Sequence, residues 1–587
     1  MRRGNNIFIA VTIILLIVLT VSVYFVNTGI FDNSEANKDI NEGIKTVSIK
    51  ENIDISDVGM IEDTSIYDND NPYSVVYFYV TVQRGDEGSD TDHSFSEVNN
   101  VVRFVNDSHY ADDVYARAIV QVGDENGPQP GNLGYGAEKS NARIRVRGNS
   151  SSTAYQKSYK LELDDEAGLV RGQSNIALNK SIFDVTRMKN KIYFDLLRDV
   201  EGISSLRTQF VRLFIKDETS GSDEYVDYGL YTQVEVPNKK YLSNHGLDKN
   251  GYLYKAIEFN FELSEGLKNF DDPEFDQTKF DAVLKCKGRM DNQKLIDLVE
   301  MINDKSIDIN DIVGTYIDRE NYITWLAYNI LTANIDTTVQ NFYLYSPLNN
   351  DKWFFIPWDG DNMLHVNEDK MEGIYQNNGE YQHGICNYWG VILHQRFLKV
   401  DSNREELKAR VDVLHEFINK DAINEIFKSY NETIEQYVLS MPDFYHLGHT
   451  KAERNEIIAG LGQEVEDAYK AFTDSLDELM PFFQNDITVE GDDVIFSWTD
   501  AYDFDNEDIM YSLKVSRKPD MSDPVIDIAD LDACEYHIAA AQIGSGTFYF
   551  EVKAYTESGK SSGAMDKILV NDVYYPGVSS VYLNAGK

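Results

Sequence analysis

"QNFYLYSPLNNDKWFFIPWDGDNML", residues 340–364, sets two aromatic runs on either side of a polar turn and ends in two aspartates behind a tryptophan. The runs "NFYLYS" and "KWFFIP" have strand composition, and residues 347–351 between them favour turns, so the spacing predicts a hairpin. An antiparallel hairpin brings its entry and exit together, which sets Asp336, just upstream, beside Asp359 at the far end. Asp336, Asn341, Asp359 and Asp361 then form a cluster of carboxylate and amide oxygens, the donor type that Mg²⁺ takes together with substrate phosphates.

Within that cluster "DTTVQN" puts Asn341 five positions after Asp336. Protein kinases use this spacing: the Asp serves the attacking hydroxyl, the Asn holds Mg²⁺, and a second Asp beyond a hairpin completes the metal site. By itself the pair also reads as turn capping.

Upstream, "RVRGNSSSTAYQKSYKLEL" reads as a strand, a small polar loop at Gly148, Asn149 and Ser150, and a return strand. Such a loop lets backbone N–H groups approach phosphate oxygens. On the return strand Lys157 has the parity of Tyr159, Leu161 and Leu163, whereas Lys160 shares its face with Glu162. A lysine on the apolar face points toward a covered site, which makes Lys157 the first candidate for a phosphate contact and Lys160 its rival. Arg143, Arg145 and Arg147 form one charged strand face, read as a ladder paired with acids.

Around these motifs, residues 73–236 alternate strand candidates with glycine-rich turns. One helix interrupts them, over 184–199, where Met188, Ile192 and Leu196 recur at four-residue steps. Residues 237–484 are mostly helical, including "DRENYITWLAYNILTAN", with Tyr322, Trp325, Leu326, Asn329 and Ile330 on one face. Residues 485–587 return to strands. There, Trp498 and "GTFYFEVKAYTESG" resemble a fibronectin type III module, a β-sandwich that spaces or binds.

The apolar stretch at 7–26 follows Arg2 and Arg3 and is long enough to cross a bilayer core of about 30 Å. It predicts an N-terminal membrane anchor over 1–30 with the bulk of the chain outside the cytoplasm, a cleaved, secreted form being the competitor. Residues 31–72 are acidic and polar and read as a flexible tether. The net charge of -44 disfavours nucleic acid as a partner. Cys286, Cys386 and Cys534 are too scattered to indicate a zinc site or a disulfide framework and read as buried free thiols.

The order of parts, a glycine-containing loop, a lysine, one helix, more strands, a crossing segment and then Asp, Asn, hairpin and Asp, is that of a kinase. The residues "RIRVRGNSSSTAYQKSYKLEL", "FDVTRMKNKIYFDLL", "YGLYTQVEVPNKKYL", "NIDTTVQNFYLY" and "WFFIPWDGDNML" resemble the CotH (spore coat protein H) kinases, an atypical branch of the protein kinase-like fold. The resemblance implies an α+β, two-lobed domain over 73–484, its sheet-rich lobe ending near 236, followed by the β-sandwich. It implies transfer of phosphate from ATP, with Mg²⁺ or Mn²⁺, to Ser or Thr of coat or surface proteins. Asp336 would be the catalytic aspartate, Asn341, Asp359 and more weakly Asp361 the metal ligands, and Lys157 or Lys160 the nucleotide lysine. Glu235 in "EVPN" would lie at the hinge and offer its backbone to the adenine, while the acidic partner of the lysine stays open between Asp184 and Asp195. Two other classes remain: an adhesion or scaffold protein keeping the fold without the chemistry, and a metal-dependent hydrolase.

Overall fold

Strands upstream of residue 236 form one sheet, in which Ala142–Arg147 and Ser158–Leu163 largely alternate buried and half-buried side chains while the others hold longer buried runs. They are β1 (Val75–Gln83), β2 (Ala116–Asp124), β3 (Ala142–Arg147), β4 (Ser158–Leu163), β5 (Asn175–Asn179), β6 (Thr208–Asp217) and β7 (Val226–Val234). The computed structural model describes residues 59–106, 109–110, 113–365, 379, 381–571 and 573–584. The hydrogen-bonded order is β1-β6-β7-β5-β4-β3-β2, and β2 pairs back onto β1 from Tyr77↔Gly123 to Gln83↔Arg117. The sheet therefore closes on itself into a barrel. Only β1 and β6 run parallel. Phe78, Val80, Val120, Ile144, Tyr159, Leu161 and Leu213 fill its interior, and closure leaves no open edge to protect.

The predicted helix forms as α1 (Lys189–Leu197), with Met188 and Ile192 fully buried and Leu196 only half-buried. It has no solvent face of its own, since Lys189, Asn190 and Lys191 are buried as well.

A second sheet follows: β8 (Tyr252–Ala256), β9 (Leu284–Cys286), β10 (Phe342–Ser346) and β11 (Phe354–Pro357), in the order β9-β8-β10-β11. The opening hairpin is β10–β11, registered from Phe342↔Pro357 to Tyr345↔Phe354. Against it packs α2 (Arg319–Leu331), whose Trp325 stacks on Phe355 with ring centroids 4.6 Å apart. One amphipathic face was expected of this helix; instead every residue from Asn321 to Leu331 is buried, because α2 is the central rod of the helix-rich part. Around it run α3 (Asp401–His415), α4 (Lys420–Val438) and α5 (Lys451–Ser475).

At the C-terminal end, strands Asp493–Ser497 and Glu535–Ala539 belong to one small sheet and Ile509–Ser516 and Gly546–Thr556 to another. Both contribute to one core containing Phe496, Trp498, Leu513, Phe548 and Phe550, and that core extends into Leu479 and Phe482 at the end of the helix-rich part.

Two expectations change here. The end of the predicted tether is packed into the fold: Asp70 accepts from Arg207 Nε at 2.8 Å, and Glu62 accepts from Tyr67 and Ser204 hydroxyls, each at 2.8 Å. Arg207 and Ser204, from beyond this segment, capture these acids, a partnership that local composition does not reveal. Of the cysteines only Cys386 is buried, Cys286 and Cys534 being half-buried. The apolar stretch at 7–26 lies outside the described residues, among which no helix is long and apolar enough to cross a membrane.

Candidate active site

The hairpin brings its two ends together as the spacing predicts, the N–H of Trp358 donating to the carbonyl of Asn341 at 3.1 Å. Both flanking residues take a left-handed backbone, Asn341 at φ 60° and Asp359 at φ 57°, and so do Ala333 and Leu364 nearby. Four such non-glycine residues around one loop mark strain of the kind that collects at functional sites.

Asp336 sits in a single 3₁₀ turn, Ile335–Thr337, after α2. Its Oδ1 accepts from Gln340 Nε2 at 2.5 Å and its Oδ2 from Asn341 Nδ2 at 2.9 Å. Although the side chain reaches solvent, desolvation by the walls around its carboxyl, followed by the Asp359 charge, raises it to about 6. Asp361 is pushed well above the carboxylate range, first by desolvation and then by Asp359, Asp184 and Asp336, with Lys189 opposing. Asn190 of α1 reaches the same point, its Nδ2 lying 3.5 Å from Asp359 Oδ1 and its Oδ1 3.4 Å from the N–H of Gly360. Gly360 is required there, because a Cβ would lie 2.1 Å from the Tyr193 ring.

Cations face this acidic floor. Arg147, at the end of β3, lies over the Trp358 ring at 5.8 Å, and Lys255 of β8 lies over the same ring at 5.1 Å. Desolvation lowers Lys255 to about 8, with Asp359 opposing and Arg147, Lys287 and Lys285 adding to the fall. Lys160, Lys285 and Lys287 are lowered too, by desolvation first and with further cations among the causes. In so acidic a chain, cations crowded until they repel one another have the charge that a multiply charged anion requires of a site.

Lys157, the first candidate for the phosphate contact, is engaged locally. The apolar face of β4 is the barrel interior, already filled by side chains, and Lys157 precedes the strand and donates its Nζ to the Ser152 carbonyl at 2.5 Å. It props the loop. Lys160 lies on the outer face opposite Arg145, and its acidic partner is Glu162 on the same strand, at 2.5 Å, rather than Asp184 or Asp195. Asp184 instead accepts from the backbone of Thr186 and Lys189, and Asp195 pairs with Lys191 at 2.7 Å.

The loop itself is a 3₁₀ turn, Ser150–Thr153, behind Gly148 at φ 83° and the exposed Asn149. The buried Ser152 hydroxyl, donating to the Asn149 carbonyl at 2.6 Å, holds it in shape. Two arginines of β3 pair with acids as expected, Arg143 with Glu162 at 2.6 Å and Arg145 with Asp113 at 3.3 Å, but Arg147 turns to the site.

Glu235 is tied into a buried network. Its N–H donates to the Arg207 carbonyl at 2.9 Å, and its buried carboxylate accepts from Gln173 at 2.6 Å and meets His245 Nε2 at 2.8 Å. Such a network uses the backbone donor that an adenine would need.

The oxygen-rich set of Asp336, Asp359, Asp361 and Asn341 fits a hard divalent cation: the Asp359 charge raises the proton affinity of Asp336 and Asp361, and Asn341, having donated its Nδ2, is left its Oδ1 for an ion. Among the described residues the tightest ligand-type groups lie elsewhere, at His383–Cys386–Glu478 and Asp503–Asp505–Glu507. A wider spacing suits an ion that keeps few protein ligands and takes the rest from phosphate and water.

Residues 144–485, more than half of the chain, match the family model described as CotH kinase protein. Inner spore coat protein H of Bacillus subtilis (strain 168) is 27% identical over 241 residues, covering 40% of this chain and 62% of that relative. The alignment thus spans less than two thirds of the relative's length.

Proposed function

The chain belongs to the CotH kinase protein family, and from that premise we propose that it is a metal-dependent protein kinase that transfers the γ-phosphate of ATP to Ser or Thr hydroxyls of a protein. The observation that carries this reading is the position of Asp359, whose charge acts on Asp336 and Asp361 and also on Arg147 and Lys255 over the Trp358 ring. Mg²⁺ or Mn²⁺, held by Asn341, Asp359 and Asp361, supplies charge neutralisation at the phosphates. Asp336, with a proton affinity near neutral, orients the acceptor hydroxyl and takes its proton. Arg147, Lys160 and Lys255 hold phosphate oxygens by charge, and Gly148, Asn149 and Ser150 bring backbone close to them. The relative is named for the inner spore coat, so the acceptor class we assign is a coat or surface protein, with the chain itself coat-associated or extracytoplasmic. The C-terminal sheets serve as a fibronectin-like spacer or docking module.

The test is phosphoryl transfer from labelled ATP to protein, including the chain itself, with Mg²⁺ or Mn²⁺. Asp336→Asn is expected to lower the rate by about 10²–10⁴ through loss of the base, and Asp359→Asn to abolish metal-dependent transfer. No transfer by the unaltered chain, or equal transfer by both variants, sinks the proposal and leaves the non-catalytic scaffold.

A further inference from the structure

Beneath the turn that carries Asp336 lies a second one, residues 383–386, with two ligand-type side chains three positions apart. His383 Nε2 is 2.7 Å from Glu478 Oε2, Cys386 Sγ is 3.6 Å from the same oxygen, and the ligand atoms of all three residues lie within 4.8 Å of one another. The backbone is shaped for this approach. Gly384 takes φ 46°, and a Cβ on it would lie 2.2 Å from Ser475 Oγ and 3.0 Å from the Phe472 backbone. The N–H of Ile385 donates to Ser475 Oγ at 3.0 Å, which seats the turn on the last residue of α5. A cavity of about 600 Å³, lined by His365, Asn387, Glu464 and Asp467 among others, opens onto His383 and Glu478.

The other convergent acids behave differently. Lys560 Nζ lies 2.9 Å from Asp503, 2.6 Å from Asp505 and 3.8 Å from Glu507, so an ammonium already supplies the positive charge there.

We propose that His383, Cys386 and Glu478 form a second metal site, separate from the acidic cleft, which takes Zn²⁺ or a similar borderline transition ion and keeps its fourth position toward the cavity. One imidazole nitrogen, one sulfur and one carboxylate oxygen is a donor set for such an ion, and a hard cation such as Mg²⁺ would leave the sulfur unused. Binding through the Cys386 sulfur releases the thiol proton and is therefore favoured by higher pH. The ion would clamp the turn to α5 directly below the Asp336 loop, where Asn387 Nδ2 donates to the Ile335 carbonyl at 3.1 Å and the Tyr388 and Thr337 hydroxyls meet at 2.9 Å. This site does not depend on phosphoryl transfer.

The experiment uses the full chain, stripped of metal by a chelator and titrated with Co²⁺ while its absorption is recorded. One equivalent is expected to produce a thiolate-to-cobalt charge-transfer band in the near ultraviolet. Cys386→Ser is expected to lose the band, with circular dichroism unchanged, while Cys286→Ser and Cys534→Ser keep it. His383→Ala, at a half-exposed position, is expected to weaken Co²⁺ binding beyond the about 10–100-fold that loss of an outer-shell partner costs. Absence of the band, its persistence in Cys386→Ser, or unchanged affinity in His383→Ala overturns the proposal.

Discussion

Asp336 is raised to about 6 and Lys255 lowered to about 8, and the chemistry assigned to them needs the first ionised and the second protonated. The rate of transfer against pH should therefore be bell-shaped, rising through about 6 and falling through about 8, and Lys255→Met should remove the alkaline limb. Asp361 carries a stability cost of its own. A carboxyl whose proton affinity is higher folded than unfolded destabilises the fold when ionised, and that cost is relieved as pH falls toward the ordinary carboxylate range. Asp361→Asn, which stays neutral, should melt above the unaltered chain at pH 7 while losing metal-dependent transfer, as measured by calorimetry and by the labelled-ATP assay. The acidic half of this site was legible from spacing, because hairpin geometry maps sequence offset onto proximity. Arg147, Lys255 and Asn190 were not, since each arrives from an element whose position no local pattern encodes.

At the scale of elements, the β3–β4 hairpin shows a correct parity attached to the wrong face. Alternation separates Lys157 from Lys160, yet which face meets ligand depends on what lies behind the strand, and here the apolar side is the barrel interior. Lys160→Met should weaken nucleotide binding by about tenfold or more, as loss of one charge-assisted contact does. Lys157→Met should act mainly on the loop it props and change affinity less, both read by calorimetry with MgATP. Equal losses would return Lys157 to the site.

Across the whole molecule, the residues before β1 are tied in through His245. Its ring lies between Glu62 and Glu235, and although burial alone would lower it, hydrogen bonds to Glu235 and Glu62 raise it to about 9. This bound proton stabilises the fold fully below about 6.5, and the stabilisation is lost as pH rises through about 9. Urea unfolding should show a loss of about 3 kcal/mol over that window, by the linkage of proton affinity to stability. His245→Gln should flatten the profile.

By itself the sequence determined the strand and helix content, the β10–β11 hairpin, and the identity and mutual approach of Asp336, Asn341 and Asp359. Those features are local, or are joined by a single tight turn, so residue type and spacing specify them. Closure of the barrel from β2 back to β1, the arrival of Arg147 and Lys255 over the Trp358 ring, the burial of Glu235 against His245 and the meeting of His383 and Cys386 with Glu478 were decided only in the tertiary structure. Each joins residues far apart along the chain. Their proximity is set by how whole layers pack, and the free energy of that packing is spread over a core that no short stretch of sequence contains.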